Sequence, residues 1–101
     1  MVAYIHLTMH FEWDPDKADA NLGKHGVDFV DATQLFFGTY MEYEVTKEGY
    51  GERRFKAVGE VQGRLVAVVY TMRGEGFRLI SARGANRHER KAYCEFQSGN
   101  G

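Results

Sequence analysis

The stretch Arg78-Leu79-Ile80-Ser81-Ala82-Arg83-Gly84-Ala85-Asn86-Arg87-His88-Glu89-Arg90-Lys91 changes period midway, and the change decides the fold. Up to Arg83 the residues alternate. Phe77, Leu79 and Ser81 share one face, and Arg78, Ile80 and Ala82 the other, as in an inner strand over residues 77–83. Beyond it the spacing is helical. Arg83, Arg87, Arg90 and Lys91 fall at i, i+4, i+7 and i+8, one face of a helix that begins near Arg83. A strand feeding a basic helix aims several guanidinium groups into one space from a rigid base. Such a cluster suits phosphate, because each Arg offers a planar fork of donors and keeps its charge. The plain structural alternative is a solvated basic face paired with Glu89 and Glu95, and on this stretch alone it carries equal weight.

Outward from this stretch, Gly74-Glu75-Gly76 is a turn. Before it, Leu65-Val66-Ala67-Val68-Val69-Tyr70 is apolar on both faces, which places it centrally in a sheet. Gln62-Gly63 is a tight turn. Residues 52–61 alternate, with Phe55, Ala57 and Val61 inward and Arg54, Lys56 and Glu60 outward. Residues 40–46 set Met41, Tyr43 and Val45 against Glu42, Glu44 and Thr46, as a half-buried strand does. Asp14 followed by Pro15 opens a helix over 15–24 that closes at Gly26. Asp28 opens a second helix, whose Phe29, Ala32, Leu35 and Phe36 form an apolar stripe ended by Gly38. Met9-His10-Phe11-Glu12-Trp13 reads as a short strand, and residues 1–8 as a first strand or an extension upstream of a start at Met9. Ser98 to Gly101 reads as a mobile tail. The expectation is one α+β domain over 9–97: two N-terminal helices, an antiparallel sheet and a C-terminal basic helix.

The net charge of -1 does not indicate a globally basic nucleic-acid binder, but its distribution indicates a local basic site. Residues 1–61 carry 6 Lys and Arg against 11 Asp and Glu, and residues 62–101 carry 7 against 3. Cys94 is alone, which rules out an intramolecular disulfide and a cysteine metal cluster and fits a reducing cytoplasm. No apolar run reaches membrane-span length, and no signal peptide or membrane contact is expected.

The chemistry-bearing residues each have a structural alternative. Lys24-His25 ends the first helix, where the macrodipole favours cations, but Lys24 can hold a phosphate and His25 can transfer protons. Glu52-Arg53 reads either as an edge-strand charge pair or as a catalytic carboxylate with its cation. Arg73 is a turn residue or a phosphate ligand. Arg78 lies inside an inner strand, where an unpaired charge is costly, so it needs a carboxylate, carbonyls or a phosphate. Trp13, Tyr70 and Tyr93 can stack bases, though core packing is the commoner role. His6, His10, His25 and His88 lack metal-site spacing, and Gly74-Glu75-Gly76 matches no nucleotide-binding loop, so neither metal nor cofactor is expected. If a reaction occurs here, metal-free RNA cleavage fits best, since the 2′-hydroxyl is the nucleophile and the protein need supply only a base, an acid and cations.

Four blocks together resemble the BrnT family, the toxin half of the BrnT/BrnA type II toxin–antitoxin system. They are Phe11-Glu12-Trp13-Asp14-Pro15-Asp16-Lys17-Ala18 with Asn21; Lys24-His25-Gly26-Val27-Asp28-Phe29 with Ala32; Gly51-Glu52-Arg53-Arg54-Phe55 with Gly59; and Arg73-Gly74-Glu75, Arg78, Ile80-Ser81-Ala82-Arg83, Glu89-Arg90 and Tyr93. The resemblance spans Phe11 to about Glu95. It implies a RelE-like fold, a ribonuclease that blocks translation, and a BrnA-like antitoxin in a two-plus-two complex that reaches operator DNA through the antitoxin. It places catalysis at Lys24, His25, Glu52, Arg53 and Arg78, with Glu52 or His25 as general base. Arg73 and Arg83 become phosphate ligands, extended by Arg87, Arg90 and Lys91 on the basic helix. Residues 1–8 are additional to the family pattern. Gly84 stands where a basic residue is common, and Asn86 where Thr is common. A non-catalytic module that binds RNA or its partner is the alternative.

Overall fold

The computed structural model describes residues 2–6 and 9–99. Among the described residues, six strands form one sheet in the order β1-β2-β6-β5-β4-β3. They are β1 (Val2–His6), β2 (Met9–Trp13), β3 (Tyr40–Glu44), β4 (Phe55–Val61), β5 (Arg64–Arg73) and β6 (Gly76–Gly84). The helices are α1 (Pro15–His25), a single turn α2 (Phe29–Ala32) continued by a 3-10 turn over Thr33–Phe37, and α3 (Arg87–Gly99). No helix among the described residues is long and apolar enough to cross a membrane.

The class is α+β, as expected, but the sheet is not wholly antiparallel. β6 pairs antiparallel with β5 and parallel with β2, through Phe11 with Phe77 and Glu12 with Arg78. β6 is therefore an inner strand, as its alternation suggested. Val2–His6 is a strand paired antiparallel with β2, the first of the two readings of residues 1–8, of which residues 1, 7 and 8 lie outside the described residues.

Asp14 and Asp28 cap α1 and α2 as the sequence indicated, each accepting from a backbone N–H two residues on. Gly26 closes α1 in the left-handed conformation at φ 70°. Several boundaries differ from expectation. β4 begins at Phe55, so Glu52 and Arg53 belong to the preceding loop. β3 ends at Glu44. α3 starts at Arg87, four residues after Arg83, which stays on β6. Asn86 and Glu89 explain that start. Asn86 Oδ1 accepts from the Glu89 N–H, and Glu89 Oε1 accepts from the Asn86 N–H, a reciprocal capping box. Lastly, Ser98 and Gly99 close α3, while residues 100 and 101 of the expected tail lie outside the described residues.

The sheet packs on both faces. On the first, Phe11, Trp13, Ala57, Val66, Val68, Tyr70, Leu79 and Ala82 meet Phe29, Ala32, Leu35 and Phe36 of α2 and the 3-10 turn. Gly59 lets the 3-10 turn approach, since a Cβ there would stand 3.0 Å from Leu35 Cγ. On the second face, Val58 and Ala67 meet Ala85 and Tyr93, which mark the packed side of α3. Trp13, Tyr70 and Tyr93 are all buried, so their first role is core.

Candidate functional site

The second sheet face carries the charged residues, and strand register orders them in rows. Glu12, Arg78 and Thr71 are cross-strand neighbours on β2, β6 and β5. The next row is Ser81, Val69, Lys56 and Tyr43, and the third is Arg83, Ala67, Val58 and Met41. Successive rows stand about 7 Å apart, two residues along a strand. A register shift between Val69 and Tyr70 sets this pattern, leaving Ile80 as the additional residue of β6. Ala82, opposite Val68, thereby joins the core face with Leu79, and Ser81 joins the face of Arg78 and Arg83. Strict alternation puts Ala82 with Arg78.

Glu12 Oε1 lies 4.0 Å from Arg78 Nη1, and both side chains are about one-fifth exposed. Beside this pair, the loop before β4 folds over β5. Thr71 Oγ1 donates to the Arg53 carbonyl at 2.6 Å. Glu52 accepts from Arg54 Nε at 3.0 Å and has Arg73 Nη2 at 3.9 Å. Arg53 makes a bidentate pair with Glu44 at 2.8 and 3.1 Å, and its guanidinium stands over the Phe55 ring. Hydrogen bonds from Arg53 and Thr46 hold the Glu44 carboxyl down to about 2. Glu52, Arg53, Arg73 and Arg78 thus share one end of the sheet.

The far row is closed by Glu89. This carboxylate is 5% exposed and accepts four hydrogen bonds: from Arg83 Nη1 and Nη2, Lys56 Nζ and the Asn86 N–H, all between 2.7 and 2.9 Å. Burial alone would raise its pKa. The bonds from Arg83, Asn86 and Lys56 outweigh burial and bring it to about 2. The bonds it donates to Glu89 hold the Arg83 guanidinium above its usual pKa against the opposite effect of burial. Arg83 is therefore engaged by Glu89, as the plain structural alternative proposed, and it is not on the helical face with Arg87, Arg90 and Lys91. Those three are exposed on α3, where Arg90 Nη1 donates to the Ala85 carbonyl at 2.7 Å.

Lys24 and His25 form a third group. They line a groove at the edge of β6 with Lys17, Asn21, Ile80 and Ser81. This groove lies where β2 has left β6, and the Asn21 amide takes the place of the missing strand. Asn21 Nδ2 donates to the Ala82 carbonyl at 2.8 Å, and Oδ1 accepts from the Ala82 N–H at 3.0 Å. Ser81 belongs both to the groove and to the face that bears Arg78.

Sequence reasoning missed Glu12, Lys56 and Ser81 as members of the charged face. Alternation alone turns Lys56 outward, toward solvent. The signal for Glu12 was available, because a carboxylate on a short strand beside the Arg78 strand answers the need that Arg78 poses.

Residues 13–89 match the model of the family described as the ribonuclease toxin, BrnT, of type II toxin–antitoxin systems. No curated protein matches the chain.

Proposed function

The chain belongs to the BrnT family of ribonuclease toxins of type II toxin–antitoxin systems, and from this premise we propose that it is a metal-independent endoribonuclease acting on the open sheet face around Arg78. The family implies an antitoxin partner. The observation that carries the reading is the position of Arg78, a guanidinium rooted in an inner strand with Glu12 beside it and the Glu52–Arg53 loop at its row.

In this reaction a base takes the proton of a ribose 2′-hydroxyl, and O2′ attacks the adjacent phosphorus. The P–O5′ bond breaks, and an acid protonates the leaving oxygen. The products are a 2′,3′-cyclic phosphate and a 5′-hydroxyl. Arg78 stabilises the charge that develops on the phosphorane, with Lys24 as a second cation from the edge groove. Glu52 or His25 acts as general base. Arg53, Arg73 and Arg83 orient flanking phosphates, and Arg87, Arg90 and Lys91 extend the phosphate track along α3. The sheet with helices on both faces supports a RelE-like assignment. Blocked translation in the cytoplasm, silencing by a BrnA-like antitoxin, a two-plus-two complex and operator binding through that partner complete the proposal.

One observation favours the alternative of a non-catalytic RNA- or partner-binding module: Arg53, Arg54, Arg83 and Lys56 are already held by carboxylates. Incubating purified protein with structured RNA in excess EDTA separates the two. Cleavage that survives chelation and is lost in Arg78→Ala, with native circular dichroism retained, supports the enzyme. Cleavage abolished by EDTA refutes the metal-free mechanism. No cleavage by either protein, even with ribosomes, selects the binding module.

A further inference from the structure

On the first sheet face, Tyr40, Glu42, Phe55, Tyr70, Met72 and Phe77 line an open recess that the cleavage chemistry does not use. Phe36 braces it from below. Its ring lies 5.1 Å from Tyr40, 5.2 Å from Tyr70 and 4.5 Å from Phe77 between centroids. The walls are thus preformed by a packed aromatic cluster. One charged group stands among them. The Tyr70 hydroxyl donates to Glu42 Oε2, fixing that carboxylate at the wall. A carboxylate offers about four acceptor sites, so one hydroxyl leaves capacity for further donors. Burial, followed by the Glu42 charge, pushes the Tyr40 hydroxyl above its usual pKa.

The recess is continuous with the reactive end of the sheet. Phe55 and Met72 also line the adjoining depression formed with Glu52, Arg53 and Thr71. Arg53 stands 5.4 Å from the Phe55 ring centroid, on the side of the recess, whereas Thr71 and its cross-strand neighbour Arg78 belong to the opposite face of the sheet. A nucleotide with its base in the recess therefore has the Arg53 guanidinium for its phosphate at the mouth. Aromatic walls accept the flat face of an unstacked base in single-stranded RNA. A lone carboxylate then selects the base. Guanine presents two adjacent donors, N1–H and the N2 amino group, to one carboxylate. Adenine, cytosine and uracil each place an acceptor next to their donor.

We infer that this recess is a specificity pocket for a guanine base of the RNA, with Tyr40, Phe55 and Phe77 as stacking walls and Glu42 as reader of the donor edge. The inference rests on the ribonuclease reading for its RNA ligand, but binding tests it apart from cleavage. The full chain is titrated by calorimetry with guanosine, adenosine, cytidine and uridine 3′-monophosphates. Guanosine 3′-monophosphate is expected to bind at least about tenfold more tightly than the others, the scale of one bidentate base contact. Glu42→Gln, which replaces an acceptor oxygen by a donor, is expected to erase the preference. Tyr70→Phe keeps the packed ring but releases Glu42, and is expected to weaken the preference while thermal melting stays cooperative. In parallel, the ratio of kcat/KM for guanine- over adenine-bearing short RNAs is compared in wild type and Glu42→Gln.

Equal binding of the four nucleotides by the wild type, or an unchanged preference in Glu42→Gln, overturns the pocket. Cleavage without base preference also overturns it and leaves the ribonuclease reading intact. Guanine-selective binding with no cleavage supports the pocket and rejects the ribonuclease reading. Absence of nucleotide binding, with antitoxin binding weakened in Glu42→Gln, assigns the recess to the protein partner and overturns the inference.

Discussion

Glu89 shows how one carboxylate serves both folding and the site. It closes the capping box of α3 and fixes Arg83 and Lys56 on the sheet face. Its pKa of about 2 in the folded chain lies below the ordinary value of 4.5. The stabilisation is therefore complete above about pH 4.5 and is lost as pH falls toward 2, as protons bind preferentially to the unfolded chain. The gap corresponds to at most about 3 kcal/mol. Melting temperatures measured between pH 6 and 2 are expected to fall steeply below pH 4.5 in the wild type. In Glu89→Gln the curve should start lower by several degrees and flatten, because Arg83 and Lys56 have lost their charged partner at every pH. Parallel curves for the two proteins would show that Glu89 contributes no such linkage. Lys56 explains why this residue was hard to read from sequence. Alternation placed Lys56 outward correctly, yet that side of β4 lies beside α3, and only the position of α3 reveals the carboxylate it meets.

Among the elements, α1 is tied to the sheet by one amide. Where β2 stops pairing with β6, Asn21 bonds both polar groups of Ala82 and donates to the Val27 carbonyl at 3.0 Å. Asn21→Ala leaves these buried groups unsatisfied and is expected to cost about 2–4 kcal/mol in urea unfolding. A loss under about 0.5 kcal/mol, typical of an exposed position, would show that water replaces the amide readily. Element type was largely legible in the sequence because caps and turns are local: Asp14, Asp28, Gly26 and Gln62-Gly63 mark their boundaries. The parallel β2–β6 pairing was not legible, since alternation carries no direction. Nor was the irregularity at Ile80, which moved Ala82 to the core and Ser81 to the charged face. The candidate site was legible as residue types in four blocks, but their division into an edge groove, a loop corner and a sheet face depends on that register.

For the whole molecule, folding offsets part of the charge asymmetry of the sequence. Acidic residues of the first half meet basic residues of the second in Glu12–Arg78 and Glu52–Arg73, while Lys56 and Arg83 meet at Glu89. Long-range attraction for RNA then falls mainly to exposed cations, and Arg87, Arg90 and Lys91 on α3 are the densest such group. If these three act with Lys24, Arg53, Arg73, Arg78 and Arg83, eight phosphates are neutralised. The logarithm of affinity should then fall with the logarithm of salt at a slope of about -5.6, given about -0.7 per phosphate on a single strand. Removing two contacts in Arg87→Ala with Lys91→Ala should reduce the magnitude of the slope by about 1.4. Arg78→Ala should reduce it by about 0.7 and also stop cleavage. Fluorescence anisotropy on a short single-stranded RNA between 50 and about 300 mM salt measures all three slopes. A double-variant slope equal to that of the wild type would remove α3 from the RNA path and confine binding to the sheet face. Because net charge is -1, a steep wild-type slope would have to come from this local cation placement rather than from overall attraction.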